Sequence, residues 1–317
     1  MLAAAQAVAA AVVLRRLARG RRRRPPLRGA ATDRSVTVVI PAREEAGRIG
    51  PCLEALRGED VIVVDDDSAD GTAQVARRHG ARVIQRGPAP PGWVGKPWAL
   101  QKGVEAATGE VVVCLDADTR PKPGLLGALA QELDEFDFVT VGPRFVCEGG
   151  LERWLHASLL ASLVYRYGPL DIDRPPRVAN GQCTATRREW FLAQGGYGLA
   201  VGYSTDDVAL IRALSGRVAF RDGADLLEVK MHDSVREVWR EWGRSIGLRD
   251  VESPWPHVAV LALAMIPLLP VRIALLFALR RSYTRHGLAF WLSPLADPLA
   301  ILRLIVPPAR TWRGERL

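Results

Sequence analysis

The chain has 317 residues, 48% of them hydrophobic, and a formal net charge of +8. That length suits two small domains or one large domain with additions, and the composition supports a sizeable core. The four cysteines (52, 114, 147, 183) are far apart and lack C-x-x-C spacing. That excludes a zinc ribbon or a disulfide framework and leaves reduced thiols in a cytosolic setting.

The N-terminus opens on "LAAAQAVAAAVVL" (Leu2 to Leu14), followed at once by "LRRLARGRRRRPPLRG", which holds eight arginines. A membrane-spanning helix needs about 20 apolar residues, so this run is short, although Arg15 and Arg16 extend it by snorkelling. A secretory signal would carry its basic region before the apolar run. The expectation is an anchor or interfacial helix over segment 1–33, with the arginines on the cytoplasmic side. A nucleic-acid-binding arm and a disordered tail are the alternatives, and no nucleic-acid partner is expected.

From Arg34 to about Asp250 strands and helices alternate. "SVTVVIP" (35–41), "DVIVVDDD" (60–67), "ARVIQR" (81–86) and "EVVVCLDAD" (110–118) read as buried strands. Helical spacing occurs at Ile49, Leu53 and Leu56, in "ADGTAQVARRHG", and from about Pro97 to Ala107. This pattern predicts an α/β fold with a mostly parallel sheet covered by helices. Ligands of such sheets bind at the carboxyl ends of the strands. Acidic residues gather there: Glu44 and Glu45 after the first strand, Asp65 to Asp67 after the second, Asp116 and Asp118 after the fourth.

The last third is apolar again. "HVAVLALAMIPLLPVRIALLFALRR" (His257 to Arg281) contains only Arg272 before its end, and "GLAFWLSPLADPLAILRLIVPP" (Gly287 to Pro308) contains Asp297 and Arg303. Segment 251–317 is expected to hold membrane helices or a re-entrant hairpin, with Pro267 and Pro270 breaking the first run.

No G-x-G-x-x-G follows the first strand, and no G-x-x-x-x-G-K-[ST] occurs, so dinucleotide and P-loop readings are weak. Carboxylates crowded on one rim need a counter-charge. Mg²⁺ or Mn²⁺ with a diphosphate supplies one, because these ions combine carboxylates with phosphate oxygens. A D-x-D at a strand end can also be only an Asx-turn or a cap; the reading rests on two such motifs at corresponding strand ends.

"VVIPAREEAGRI", "VIVVDDDSADGTAQVA", "GWVGKPWALQKGVEAATGEVVVCLDADTRP" and "STDDVALIRAL" together resemble the inverting glycosyltransferase family 2, of the GT-A fold, over about residues 35–250. "PPGWVGKPWALQKG" is similar to its membrane-associated hopanoid and carotenoid (diaponeurosporenoate-type) members. The resemblance implies that Ala42 and Glu44 lie near the nucleotide, that Asp66 contacts the base, and that Lys96 approaches base or diphosphate. It makes Asp116 and Asp118 the metal-binding D-x-D, with Asp118 the direct ligand. Asp207, in Thr205-Asp206-Asp207, matches the general base. Gln182 and Asp206 are candidate diphosphate or acceptor contacts; Asn180, Gly181 and Gln182 are candidates for the donor sugar pocket. Two departures stand out. Glu44 occupies a position where the family commonly has Asn. In place of Q-x-x-R-W the chain has "REVWREWGRS", making Arg240 and Trp242 substitute candidates and favouring transfer of one sugar over polymer synthesis.

The implied function is metal-dependent transfer of a hexose from a nucleotide-sugar to a lipid, by a cytoplasmic domain at the cell membrane, on segment 34–250. A polyprenyl-phosphate sugar synthase, a nucleotidyltransferase and a non-catalytic membrane scaffold are the rivals. Trp93 and Trp98 either anchor their loop or stack on a sugar or base. His156 and His232 read as structural. Val235, Val238, Trp239, Trp242 and Ile246 form the stripe of an amphipathic helix, with Arg236, Arg240 and Arg244 on another face.

Overall fold

Short β-branched runs separated by helices dictate parallel pairing, because a parallel neighbour needs a crossover connection. The computed structural model of the protein describes residues 1–169, 178–306, 311–312 and 315–316. Its main sheet contains β1 (Val36–Ala42), β2 (Asp60–Asp65), β3 (Arg82–Gln85) and β4 (Val111–Leu115). A further strand pair, β5 (Thr119–Pro121) and β9 (Leu227–Lys230), flanks it, and β6 (Phe138–Gly142), β7 (Cys183–Arg187) and β8 (Val218–Asp222) complete it. The seven strands run in the order β3-β2-β1-β4-β7-β6-β8. Pairing is parallel from β3 to β4 and between β6 and β8; only β7 runs antiparallel to both neighbours. The expected α/β fold with a mostly parallel sheet is therefore present.

The chain forms two compact units. Pro25–Pro143 with Arg174–Lys230 is the sheet unit. Its strands are buried almost throughout: Val38, Val39, Ile40, Ile62, Val63, Val64 and Val111–Val113 have no exposure. The helix Gly95–Ala106 sits close on β1 because Gly103 has no side chain; a Cβ there would meet Val39 Cγ1 at 2.2 Å. All four cysteines are free and buried, as expected.

The other unit comprises Met1–Arg24, Arg144–Asp173 and Met231–Leu317. This division departs from the expected segments 1–33, 34–250 and 251–317. The apolar N-terminal helix Leu2–Leu17 buries Ala9 and Val13 in one core with Leu155, Leu159, Val238, Ile246, Leu261 and Leu304. A stripe at i and i+4 ties it into this unit, so it does not stand apart as a separate element. His156 is buried in the same unit and bonds Tyr283 Oη through Nδ1 at 2.7 Å, a structural role as expected.

Two expectations for this unit gain detail. Among the described residues no single helix is long and apolar enough to cross a membrane. The first apolar run is broken at Pro267 and Pro270, as expected, into two short helices, Trp255–Ala264 and Leu269–Leu279, bent by 108°; by length and composition the pair fits a broken span or a re-entrant loop. The second is divided into Gly287–Trp291 and Asp297–Ile305, and residues 307–308 of it lie outside the described residues. The amphipathic helix is present without a break over 235–247, but its middle turn is wider than α. Val235–Glu237 leads into a π-helical turn, Val238–Trp242, and then Gly243–Gly247. Val238 and Ile246 are buried as the stripe requires; the side chain of Arg244 lies outside the described residues.

Candidate active site

Because β1, β2 and β4 are parallel and in register, their acidic ends share one rim. Ala42 is paired with Asp65, and Asp65 with Gln85 of β3. The first cluster forms where β1, β2 and β3 end. The Asp66 carboxylate is buried, with Arg86 Nε at 2.5 Å and Arg43 Nη1 at 3.5 Å. Its backbone N–H donates to Ala42 O at 2.8 Å. Neither arginine was anticipated from the sequence, although Arg86 directly follows β3 and so falls under the same carboxyl-end rule.

Glu44 ties this cluster together. Its N–H donates to Ser68 Oγ at 3.0 Å, and its Oε1 accepts from Ala69 N at 2.6 Å. It does so at φ 55°, in the left-handed region that Asn tolerates and Glu does not favour. The position thus has a backbone reason to prefer Asn. Asp70 accepts from Ala46 N and Thr72 N, so it is a structural cap and not a ligand contact.

The second cluster surrounds the D-x-D. Lys96, in the first turn of Gly95–Ala106, places Nζ 2.6 Å from Asp116 Oδ1 and 2.9 Å from Oδ2. Burial alone would depress the lysine; the carboxylates of Asp116, Asp206 and Asp207 outweigh it and hold its pKa above the usual range. Asp118 is pushed up to about 7, first by burial and then by Asp116 and Glu45. Its Oδ1 is buried and has no hydrogen-bond partner. Arg48, which the sequence reading left aside, and Glu45, at the acidic end of the first strand, both act electrostatically on Asp118. The thiols beneath are inert: burial raises Cys52 to about 12 and Cys114 to about 11. Trp93 and Trp98 pack edge to face at 5.0 Å, so they meet each other in the loop before and within this helix.

The antiparallel strand β7 brings in the third group. Because it pairs Cys183 with Leu115, its leading residues reach the D-x-D rim, and Asp116 N donates to Gln182 O at 3.0 Å. One residue earlier, Gly181 N donates to Asp207 Oδ2 at 3.0 Å. A Cβ at Gly181 would lie 3.1 Å from Asp207 Cβ, so the approach depends on glycine. Asp207 Oδ1 also accepts from Val208 N at 2.8 Å, in the first turn of Asp206–Ala213. Burial, then Asp206, raises the Asp207 carboxyl to about 7; Lys96 and the two N–H donors pull the other way. A carboxyl poised there is half ionised near neutrality, which suits a general base.

Asp66, Lys96, Asp116, Asp118, Gln182, Asp206 and Asp207 all belong to the sheet unit. Arg240 and Trp242 belong to the other. Arg240 pairs with Glu241 at 2.7 Å, and Trp242 stacks on His156 with centroids 4.4 Å apart.

Among the described residues no three His, Cys, Asp or Glu side chains form a ready-made metal cage. A divalent ion nevertheless fits the donor set. The unpartnered Asp118 Oδ1, and a carboxyl held near 7 by burial and then by its acidic neighbours, are what a cation would relieve. Mg²⁺ characteristically binds one or two carboxylates and completes its shell with substrate phosphates and water, without an all-protein cage.

A family model described as Glycosyl transferase family 2 matches residues 37–193. The chain is 29% identical over 224 residues to a 4,4'-diaponeurosporenoate glycosyltransferase of Staphylococcus aureus (strain USA300), covering 65% of this chain and 60% of that protein. The counterpart from strain MRSA252 is 30% identical over the same shares. The match thus spans about 60% of the length of these curated relatives. Among solved structures, glucosyl-3-phosphoglycerate synthase from Mycobacterium tuberculosis, in complex with Mn²⁺, uridine-diphosphate and glucosyl-3-phosphoglycerate, aligns at 24% identity and a TM-score of 0.48. That alignment covers 68% of this chain and 78% of that one.

Proposed function

We propose that this chain, whose residues 37–193 match the glycosyl transferase family 2 model, is a membrane-associated enzyme of that family that moves a single sugar, with inversion, from a nucleotide-sugar to a lipid acceptor at the inner leaflet. The observation that carries the reading is the convergence of Asp116, Lys96, Asp206 and Asp207 through the residues leading into β7. The carotenoid glycosyltransferase relatives support an acceptor of lipid character.

The residues divide the work by charge. Asp66 pairs with Arg86 and Arg43, which places those two guanidiniums beside the rim that receives the nucleotide. Lys96 neutralises Asp116 while the rim is free, and offers its ammonium to a diphosphate bound there. Asp118, with Asp116, would hold Mg²⁺ or Mn²⁺, which as a Lewis acid would stabilise the departing diphosphate. Asp207 accepts the proton of the attacking hydroxyl; Gly181 N–H fixes Oδ2, and Val208 N–H fixes Oδ1, so the carboxylate keeps one orientation. Burial gives that carboxylate the basicity an exposed aspartate lacks.

Mass spectrometry of lipid extracts from cells with and without the protein tests the reading. A glycolipid present only with the active chain is expected, and identical profiles would count against a lipid acceptor. Supplying polyprenyl phosphate and neutral lipids side by side separates this function from a polyprenyl-phosphate sugar synthase.

A further inference from the structure

The apolar C-terminal helices pose a physical question. Singly they are too short to span a bilayer, and yet they leave large apolar side chains outside. On Leu269–Leu279, residues Leu269, Ile273 and Phe277 are about half exposed, at i, i+4 and i+8. Arg272, Leu276 and Leu279 face the other way and are buried. The bend before this helix exposes Ile266 by 72%. Phe277 meets Trp291 with ring centroids 5.0 Å apart, which carries the apolar surface on into 287–296, where Leu288 and Leu295 are 74% and 70% exposed.

The charges that interrupt these runs in the sequence do not reach this surface. Arg272 is 2% exposed and donates to Asp297 Oδ2 at 2.9 Å and to Ser293 Oγ at 3.2 Å. Ser158 Oγ donates to Asp297 Oδ1 at 2.7 Å. Arg303 is 3% exposed and donates to Trp239 O at 2.8 Å. The surface is therefore uncharged until Leu279, and there it meets the exposed Arg280, Arg281 and Arg285.

We infer that this face inserts into a single leaflet of an anionic bilayer, as a monotopic platform that does not cross the membrane. The inference deepens, and rests on, the membrane-associated part of the proposed function. Length argues for one leaflet: eleven residues of helix reach about 16 Å, against a hydrocarbon core of about 30 Å, and the 108° bend turns the chain back. Charge argues for the occupant. An apolar face edged by arginines matches acyl chains below anionic headgroups. A second copy of the chain would instead bring two arginine edges to one interface.

Flotation of the purified full-length chain with vesicles of phosphatidylcholine alone, or with added phosphatidylglycerol, tests this. Ile266→Asp, Phe277→Asp and Leu295→Asp alter only exposed positions, so the melting temperature should hold. Each should weaken vesicle partitioning about tenfold. Arg280→Glu with Arg285→Glu should abolish the preference for the anionic vesicles. Unchanged flotation of the triple variant overturns the inference, as does a lipid-free dimer that the triple variant dissociates while still floating. Topology is read with Arg281→Cys, clean because the native thiols are buried. Labelling by an impermeant maleimide only after cell lysis is expected; labelling from outside intact cells means the helices cross, and overturns it. Hydrolysis of nucleotide-sugar by the same variants keeps the readings distinct. Its absence in the unaltered chain would sink the transferase assignment and leave the flotation result standing.

Discussion

Asp207→Asn exposes two consequences of one environment. Asn has the size of Asp, and its one amide oxygen still accepts the Gly181 N–H, but the Val208 N–H loses its acceptor and the side chain carries no base. General-base catalysis contributes about 10²- to 10⁴-fold, so kcat should fall within that range with the donor KM little changed. Stability should respond to pH. Burial and Asp206 raise the carboxyl from its ordinary 3.8 to about 7 in the folded chain. Between those values the folded state holds a proton that the unfolded state has released, so stability falls as pH rises from about 4 to 7. At about 1.4 kcal/mol per pH decade the full penalty is about 4 kcal/mol above pH 7. Sharing of protons with Asp206 and residual solvent contact reduce it to about 2 kcal/mol. Asn escapes this penalty. Losing the Val208 acceptor costs about 1–3 kcal/mol at every pH, so in urea unfolding the variant should gain on the native chain by about 2 kcal/mol between pH 4 and pH 8. Transfer of radiolabelled sugar at the native rate, or a stability difference from the native chain that does not change with pH, would refute the reasoning.

Lys96→Met removes a cation that lowers the Asp207 pKa, so the acid limb of the pH–rate profile should move to higher pH, alongside a loss of rate. Asp118→Asn should lower transfer by about 100-fold or more and eliminate the rise in melting temperature that Mn²⁺ gives together with a nucleoside diphosphate. Gly181→Ala sets a Cβ 3.1 Å from Asp207 Cβ; kcat should drop by about tenfold through a misplacement of well under 1 Å, while circular dichroism is unchanged. Asp297→Asn leaves the Arg272 guanidinium buried without its carboxylate, and chemical denaturation should show a loss of about 3–5 kcal/mol.

The sequence made the rim legible because its evidence was local. A β-branched run followed by acid is visible within ten residues, and parallel pairing then places every such end together. What needed side-chain positions on neighbouring strands stayed hidden. Arg86 and Arg43 converge on Asp66 from the ends of different strands, and nothing in the spacing announces it. The pairing of Lys96 with Asp116 was not visible, and the helix that carries Lys96 starts at Gly95, two residues earlier than expected. Hydropathy counted Arg272 and Asp297 as flaws in two separate apolar runs. Only packing shows that they cancel each other, across 25 residues of chain. Glu44 remained a bare departure from the family pattern until its φ of 55° gave the position a backbone requirement.

The antiparallel strand β7 has a consequence for how activity arises during folding. Strands β1 to β4 are joined by short crossovers and form from contacts near in sequence. β7 must come back from some seventy residues beyond β4 to wedge between β4 and β6, a closure of high contact order. The tripeptide Asn180-Gly181-Gln182 that fastens Asp207 to the D-x-D arrives only with that closure. In a refolding time course, secondary structure should thus recover ahead of sugar transfer, with a lag set by the return of one strand.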